Sequence, residues 1–275
     1  ENSLGSGVVV RADGLIVTNF HVIEGADTIK VVLSDRREFA ATILREDQQT
    51  DLAILKVETN GEQLPHIELG DSDELEVGDL VLAIGNPFGV GQTVTSGIVS
   101  GLARTKVGIS DFNFFIQTDA AINPGNSGGA LLRMDGTLAG INTAIFSRSG
   151  GSQGIGFAVP SNMVRTVIAG AASGSALRRA WLGAQAEAVT ADIAEAIGLA
   201  RPDGVILSDV HAEGPALRAG LQAGDIIVAV DGQPVFDPEG LRFRIATGLV
   251  GETTRLTVRR PKKARFDVDL MLEHP

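Results

Sequence analysis

Ile122-Asn123-Pro124-Gly125-Asn126-Ser127-Gly128-Gly129-Ala130-Leu131-Leu132 places one serine among glycines, and its reading decides the architecture around it. Serine is a weak nucleophile unless a neighbouring base takes its proton as it attacks. The glycines permit a tight turn and leave room for a carbonyl beside backbone N–H groups. Gly125-Asn126-Ser127-Gly128-Gly129 also satisfies Gly-x-Ser-x-Gly, the spacing of a nucleophile elbow. An elbow follows a strand, precedes a helix, and takes its acid and histidine from later in the chain. Here Asn123-Pro124 precedes the serine and Ala130-Leu131-Leu132 reads as a strand. The only later histidines, His211 and His274, fall in a separate C-terminal region. The elbow is excluded.

Upstream lie Thr18-Asn19-Phe20-His21-Val22 and Thr50-Asp51-Leu52-Ala53-Ile54-Leu55. His21, Asp51 and Ser127 run in the chain order of chymotrypsin-type hydrolases. Singly they read as a turn histidine, a turn carboxylate and a loop serine; the shared order and strand contexts make the triad specific. Short Val- and Ile-rich runs bounded by turn residues surround them: Val8–Val10, Leu15–Thr18, Thr28–Leu33, Leu52–Val57, Leu80–Ile84, Ile98–Gly101 and Leu138–Thr143. Such runs predict an all-β sandwich or barrel. The first helix is expected at Ser161–Ala172, with Ser161 as N-cap.

Beyond Ser173-Gly174-Ser175 the texture becomes mixed α and β. Helices are expected at Asp192–Ile197, Pro215–Ala219 and Pro238–Thr247. Strands are expected at Gly204–Val210, Ile226–Val230 and, last, Thr254–Arg260, with a hairpin turn at Asp231-Gly232. The expected division is residues 1–172, a linker over 173–180, and residues 181–275.

The 275 residues suffice for two ordinary domains. Lys plus Arg number 23 against 34 Asp plus Glu, a formal charge of −11 with no long basic run, which argues against nucleic-acid binding. The absence of cysteine excludes disulfides, thiol catalysis and thiolate zinc sites. Four histidines are too few for a typical multi-His site, and the acidic Glu68–Glu76 stretch lacks calcium-loop spacing, so no metal or cofactor is expected. No phosphate-cradling Gly-x-x-x-x-Gly-Lys-Ser/Thr loop is present, and no run of 18 apolar residues reads as a membrane span. The opening residues carry no signal-peptide pattern. An address or membrane anchor is therefore expected only in a segment preceding residue 1.

With these residues in place, the chain resembles the HtrA (Deg) family of serine proteases, in particular bacterial members with one PDZ domain. The resemblance is carried by Gly5-Ser6-Gly7-Val8, the His21 and Asp51 segments, Gly85-Asn86-Pro87-Phe88-Gly89, Gln117–Leu131 and Gly154-Ile155-Gly156-Phe157-Ala158-Val159-Pro160. It implies an all-β chymotrypsin-like double β-barrel followed by a smaller α+β PDZ domain. His21 would take the proton of Ser127, Asp51 would orient the imidazole, and the N–H groups of Gly125 and Ser127 would form the oxyanion hole. Ala121, six residues before the serine, would floor the specificity pocket. Ile141-Asn142-Thr143 would line it, favouring cleavage after small aliphatic residues. The oxyanion loop, Ala121–Asn126, can collapse in this family. Pro124 narrows its choices, Arg104 matches an arginine that holds the active arrangement, Thr105–Asn113 corresponds to a sensing loop, and Phe88–Gly91 is its neighbour. Asp119 reads as structural.

Gly214–Asp225 and the strand after it resemble a bacterial-type PDZ domain, which adds an extended C-terminal peptide to a sheet edge. Trp181-Leu182-Gly183-Ala184 would receive the peptide carboxylate; Trp181 reads equally as a packing anchor. Leu241 and Ile245 read as a groove wall or as plain core. His66, His211 and His274 read as solvated. The implied partners are unfolded or misfolded protein substrates, apolar C-termini and two further copies in a homotrimer, with the bacterial periplasm or cell envelope as location. The function is read as an ATP-independent, PDZ-regulated serine endopeptidase in quality control or stress signalling. The binding-class alternative is a holdase that captures unfolded chains with little cleavage.

Overall fold

Ala12-Asp13-Gly14 reverses the chain between β1 (Val8–Arg11) and β2 (Leu15–Thr18). The Gly14 N–H closes the turn onto the Arg11 carbonyl at 3.1 Å. The Arg11 guanidinium, bonded to Asp13, pulls that carboxyl down to about 2. β3 (Ile29–Val32), β4 (Glu38–Asp47) and β5 (Leu52–Val57) complete a five-stranded sheet in the order β1-β2-β5-β4-β3. The computed structural model describes residues 4–86, 91–105, 114–145, 152–172, 178–260 and 263–275.

β6 (Leu80–Gly85), β7 (Thr93–Arg104), β8 (Phe115–Thr118), β9 (Ala130–Arg133), β10 (Leu138–Ile145) and β11 (Gly156–Pro160) close into a barrel, in the order β10-β11-β8-β7-β6-β9. Val81, Val99, Ile116, Ile122 and Leu131 fill its interior. The expected double-barrel class is present, with the first sheet as an open half-barrel and the second closed. Helix α2 (Ser161–Ala172) follows and buries Met163, Val164 and Val167. Ser161 does not cap it. It is the first helical residue, and its hydroxyl donates to the Gly70 carbonyl at 2.8 Å.

The chain separates into two compact units, residues 1–176 and 177–275; of the expected linker, residues 173–177 lie outside the described residues. The second unit comprises β12 (Ala184–Ala188), α3 (Ala191–Ala196), β13 (Val205–Val210), α4 (Pro215–Arg218), β14 (Ile226–Val230), β15 (Gln233–Pro234), α5 (Pro238–Thr247), β16 (Thr253–Arg259) and β17 (Phe266–Met271). Its sheet runs β12-β13-β14-β16-β17, with β15 paired to β14. Asp231 (φ 49°) and Gly232 (φ 79°) are both left-handed, and Val230 faces Gln233, which makes a two-residue type I′ hairpin. Helix α5 starts where Asp237 accepts from the Gly240 N–H at 2.8 Å and Pro238 supplies a preset φ.

Two sequence expectations change here. Thr254–Arg260 is not the last strand, because β17 pairs along it from Thr253–Met271 to Val258–Phe266. A helical turn, α1 (Phe20–Ile23), also precedes Ser161.

The second unit contains a buried ion pair. Asp225 is fully buried and receives Arg260 Nε at 2.6 Å, Arg260 Nη2 at 2.7 Å and the Gln222 N–H at 3.0 Å. Hydrogen bonding to Asp225 holds the guanidinium above its ordinary pKa, and Arg260 also lies 5.3 Å over the Phe266 ring. Asp225→Ala should cost about 2–3 kcal/mol, less than a fully buried pair because Arg260 retains some contact with water. Chemical denaturation followed at Trp181, the only tryptophan, should show the transition at lower denaturant.

Candidate active site

Asp51 precedes β5 in a left-handed conformation (φ 57°), which a non-glycine residue adopts at a cost of about 1–3 kcal/mol unless its surroundings fix it. The surroundings do so. Its carbonyl accepts from the Phe20 N–H at 3.2 Å and from Asn19 Nδ2 at 2.8 Å. Its carboxylate accepts from the His21 N–H at 3.0 Å and faces His21 Nδ1 at 2.8 and 2.9 Å. A carboxylate can only accept, so Nδ1 carries a proton and, in the neutral ring, Nε2 is left with the lone pair. The turn α1 points this ring back at Asp51.

Thr143 on β10 ties the serine to this pair. Its hydroxyl donates to Asp51 Oδ2, and its carbonyl accepts from Ser127 Oγ at 3.1 Å. One residue thus contacts both the acid and the serine. The serine proton points at Thr143, and no bond joins Ser127 to His21 among the described residues. Long or misaligned catalytic hydrogen bonds are common in sites without substrate.

The chain before the serine has a defined turn. The Asn126 N–H donates to the Asn123 carbonyl at 2.9 Å, and Gly125 has φ 99°. With Pro124 at the second position and a left-handed glycine at the third, this is a type II turn. The Gly125 and Ser127 N–H groups donate to no protein acceptor among the described residues, so both are available to an incoming oxygen. After the serine, Gly128 donates to the Asn142 carbonyl at 2.8 Å, and Asn142 donates to Gly129 at 2.9 Å. A Cβ on Gly128 would overlap the Ser6 carbonyl and the Thr18 hydroxyl, so this position admits only glycine.

Most of the residues expected to line the pocket are buried. Ile141 and Asn142 are fully buried, and Asn142 Nδ2 is spent on the Ala130 carbonyl at 2.9 Å. Thr143 is likewise buried and serves Asp51. Ala121 alone remains partly exposed, with its carbonyl held by Thr95 Oγ1 at 2.9 Å. Arg104 folds over Gly101 and donates to Gln117 Oε1 at 2.8 Å, and none of its contacts among the described residues reaches 121–126. Pro124 is exposed on the turn. The bulk of the sensing loop, 106–113, and residues 87–90 lie outside the described residues. Asp119 accepts from the Ile98 N–H at 2.7 Å, a structural contact.

In the second unit, β12 is an edge strand with one neighbour, β13, and α5 packs against it. Before it, Gly183 is left-handed (φ 73°), and a Cβ there would press on Gly214 and Pro215. The Gly183 and Leu182 carbonyls are held by the His211 and Ala216 N–H groups at 2.9 and 3.0 Å. The Leu182 and Gly183 N–H groups have no protein acceptor among the described residues. Trp181 packs edge-on against His211 at 5.4 Å, and His211 stays exposed. Leu241 and Ile245 lie in the core cluster of the unit.

Sequence reasoning missed Asn19, which supports the Asp51 carbonyl, and the use of the Thr143 hydroxyl. Both lie in segments already singled out, but the direction of each side chain depends on where β5 and β10 meet.

Together these features define a chymotrypsin-like serine peptidase fold followed by a PDZ domain. The chain belongs to the HtrA (Deg) family of serine proteases. Residues 5–141 match the trypsin-like peptidase domain family and residues 206–260 the PDZ domain family. A probable periplasmic serine endoprotease, DegP-like, of Brucella suis is 46% identical over 260 residues, 94% of this chain and 50% of that protein. The periplasmic pH-dependent serine endoprotease DegQ of Escherichia coli is 45% identical over 271 residues, 98% of this chain and 59% of that protein. The chain thus spans about half of the length of such curated relatives. Among solved structures, the HtrA-type protease AlgW with a tripeptide superposes with a TM-score of 0.74 at 44% identity, covering 98% of this chain and 89% of that one.

Thr143→Val keeps the shape of the side chain and removes the donor to Asp51. A hydrogen bond to a charged group contributes about 1.5–3 kcal/mol. Hydrolysis of a peptide substrate should therefore fall roughly ten- to a hundredfold with the circular dichroism spectrum unchanged.

Proposed function

We propose that the protein is an ATP-independent serine endopeptidase acting on unfolded or regulatory protein substrates in the bacterial periplasm or cell envelope, with its PDZ domain binding apolar C-termini and regulating activity. The observation that carries the proposal is the arrangement around Thr143: a His21–Asp51 pair with Nε2 left to accept a proton, and Ser127 bonded to the same residue. Beside it, the turn before Ser127 leaves two N–H groups without a protein partner.

In the proposed reaction Ser127 Oγ attacks the scissile carbonyl while His21 Nε2 takes its proton, and the resulting imidazolium is stabilised by Asp51. The carbonyl oxygen, now negative, receives the N–H groups of Gly125 and Ser127. Each such donor contributes roughly 3–4 kcal/mol of transition-state stabilisation. The proton then passes from His21 to the leaving amine, and water reverses the sequence on the acyl-enzyme. Ala121, the partly exposed member of the expected pocket, supports a small apolar floor and cleavage after small aliphatic residues. Pro124 regulates through the turn it preorganises. Arg104 would have to leave Gln117 to stabilise that turn.

The β12 edge would receive an extended peptide, its carboxylate held by the Leu182 and Gly183 N–H groups beside Trp181 and Ala184. Peptide binding raises activity only in so far as the peptide prefers the active state. The periplasmic location follows the relatives' names, and a homotrimer rests on the family resemblance alone.

The deciding experiment is cleavage of an unfolded protein, with and without a peptide ending in an apolar residue. Ser127-dependent cleavage stimulated by the peptide, with cuts after Val, Ala or Ile, is expected; Ser127→Ala should abolish it and keep the fold. Binding of the unfolded protein without cleavage, together with no fluorophosphonate labelling of Ser127, would replace the peptidase by the holdase.

A further inference from the structure

We propose that Ser6 is a positioning residue for the oxyanion turn, its hydroxyl joining the Gly125 carbonyl to the Asn86 backbone. Ser6 Oγ lies 2.6 Å from the Gly125 carbonyl oxygen and 2.8 Å from the Asn86 nitrogen. The directions are fixed without locating a hydrogen. A carbonyl only accepts and an N–H only donates, so the single Ser6 proton is committed to Gly125 and its lone pair to Asn86. Alanine here would leave both groups without this partner.

The Ser6 main chain reinforces the placement. Its N–H donates to the Ser127 carbonyl at 2.9 Å, and its own carbonyl accepts from Thr18 Oγ1 at 2.7 Å. Ser6 therefore holds the carbonyls on both sides of Asn126: Gly125 through its hydroxyl and Ser127 through its backbone. Asn126 is buried between them, its side chain against Gly85, where a Cβ would meet Asn126 Oδ1 at 2.5 Å.

Conversion of the type II turn to type I reverses the Pro124–Gly125 peptide by changing ψ of Pro124 and φ of Gly125. That motion would carry the Gly125 N–H out of the site. Anchoring the Gly125 carbonyl fixes the far side of the pivot and opposes the reversal. The anchor extends further, since Asn86 Oδ1 accepts from the Gly91 N–H at 2.8 Å. The turn is thereby linked through Asn86 to Gly91. Ser6 has no described contact with His21 or Asp51, so its effect would be exerted through the turn.

The inference rests on the peptidase reading above, and the test separates the two. Wild type, Ser6→Ala and Ser6→Thr are compared in kcat and KM on a chromogenic peptide, in affinity for a peptide boronate whose adduct places an oxygen in the oxyanion hole, and in Tm. Assays are run well below every Tm. One neutral hydrogen bond corresponds to roughly a three- to tenfold population change. Ser6→Ala should lower kcat by about that factor at nearly constant KM, weaken the boronate by the same factor, and be largely restored in Ser6→Thr. A lower Tm with kcat and boronate affinity unchanged would overturn the positioning role, as would equal losses in Ser6→Ala and Ser6→Thr. If wild type is neither labelled by a fluorophosphonate nor inhibited by the boronate, the peptidase reading itself fails.

Discussion

The Asp51 carboxylate is the point on which the N-terminal unit depends. It lies before β5 of the open sheet, yet one of its oxygens is taken by Thr143 from β10 of the closed barrel. The contact therefore joins the two sheets as well as orienting His21. A buried carboxylate is expensive to desolvate and is tolerated only when donors surround it. Here the donors are the candidate base itself and a hydroxyl from the opposite sheet. The folding requirement and the chemical requirement are met by the same bonds, and the left-handed backbone of Asp51 is held by the same cluster.

Close backbone approach is the second constraint. Gly128 passes so near Ser6 and Thr18, and Gly129 so near the Ile84 carbonyl, that a Cβ at either would overlap them. The N-terminal segment, β2 and β6 thus converge on the residues just after Ser127. The chain just after the partly exposed serine is fixed by backbone contacts.

Much of this was legible in the sequence because it is local. Asp231-Gly232 writes a type I′ hairpin and Pro238 a helix start, since each depends on φ preferences and adjacent side chains. Strands with continuous apolar runs, such as Leu52–Val57, were equally plain. β4 and β17 were not, because their solvent-facing Glu, Arg and Asp break the apolar run even though strand alternation persists. The direction of each side chain at Ile141, Asn142 and Thr143 was not legible either. A strand paired on both sides assigns each side chain to one face, and a bulge between Asn142 and Ala144 shifts that register in a way composition does not reveal. Leu241 and Ile245 illustrate the same limit on a helix, where periodicity identifies an apolar face without saying whether a ligand or the core meets it.

The turn before Ser127 shows why local sequence leaves one decision to its surroundings. Proline at the second turn position suits both type I and type II and excludes their mirror forms, because its φ is negative in both allowed cases. Glycine at the third position adopts either sign of φ at similar cost. Asn123-Pro124-Gly125-Asn126 is therefore balanced between two turns that differ mainly in the direction of one peptide. The choice falls to contacts on its rim: Ser152 on Asn123 Oδ1 at 3.0 Å, Thr95 on the Ala121 carbonyl, and Ser6 on the Gly125 carbonyl. Each contributes on the order of 1 kcal/mol, and about 1.4 kcal/mol shifts such an equilibrium tenfold. A turn balanced this closely responds to small changes in whatever holds its rim, while the His21–Asp51 pair, fixed by separate bonds, need not move at all.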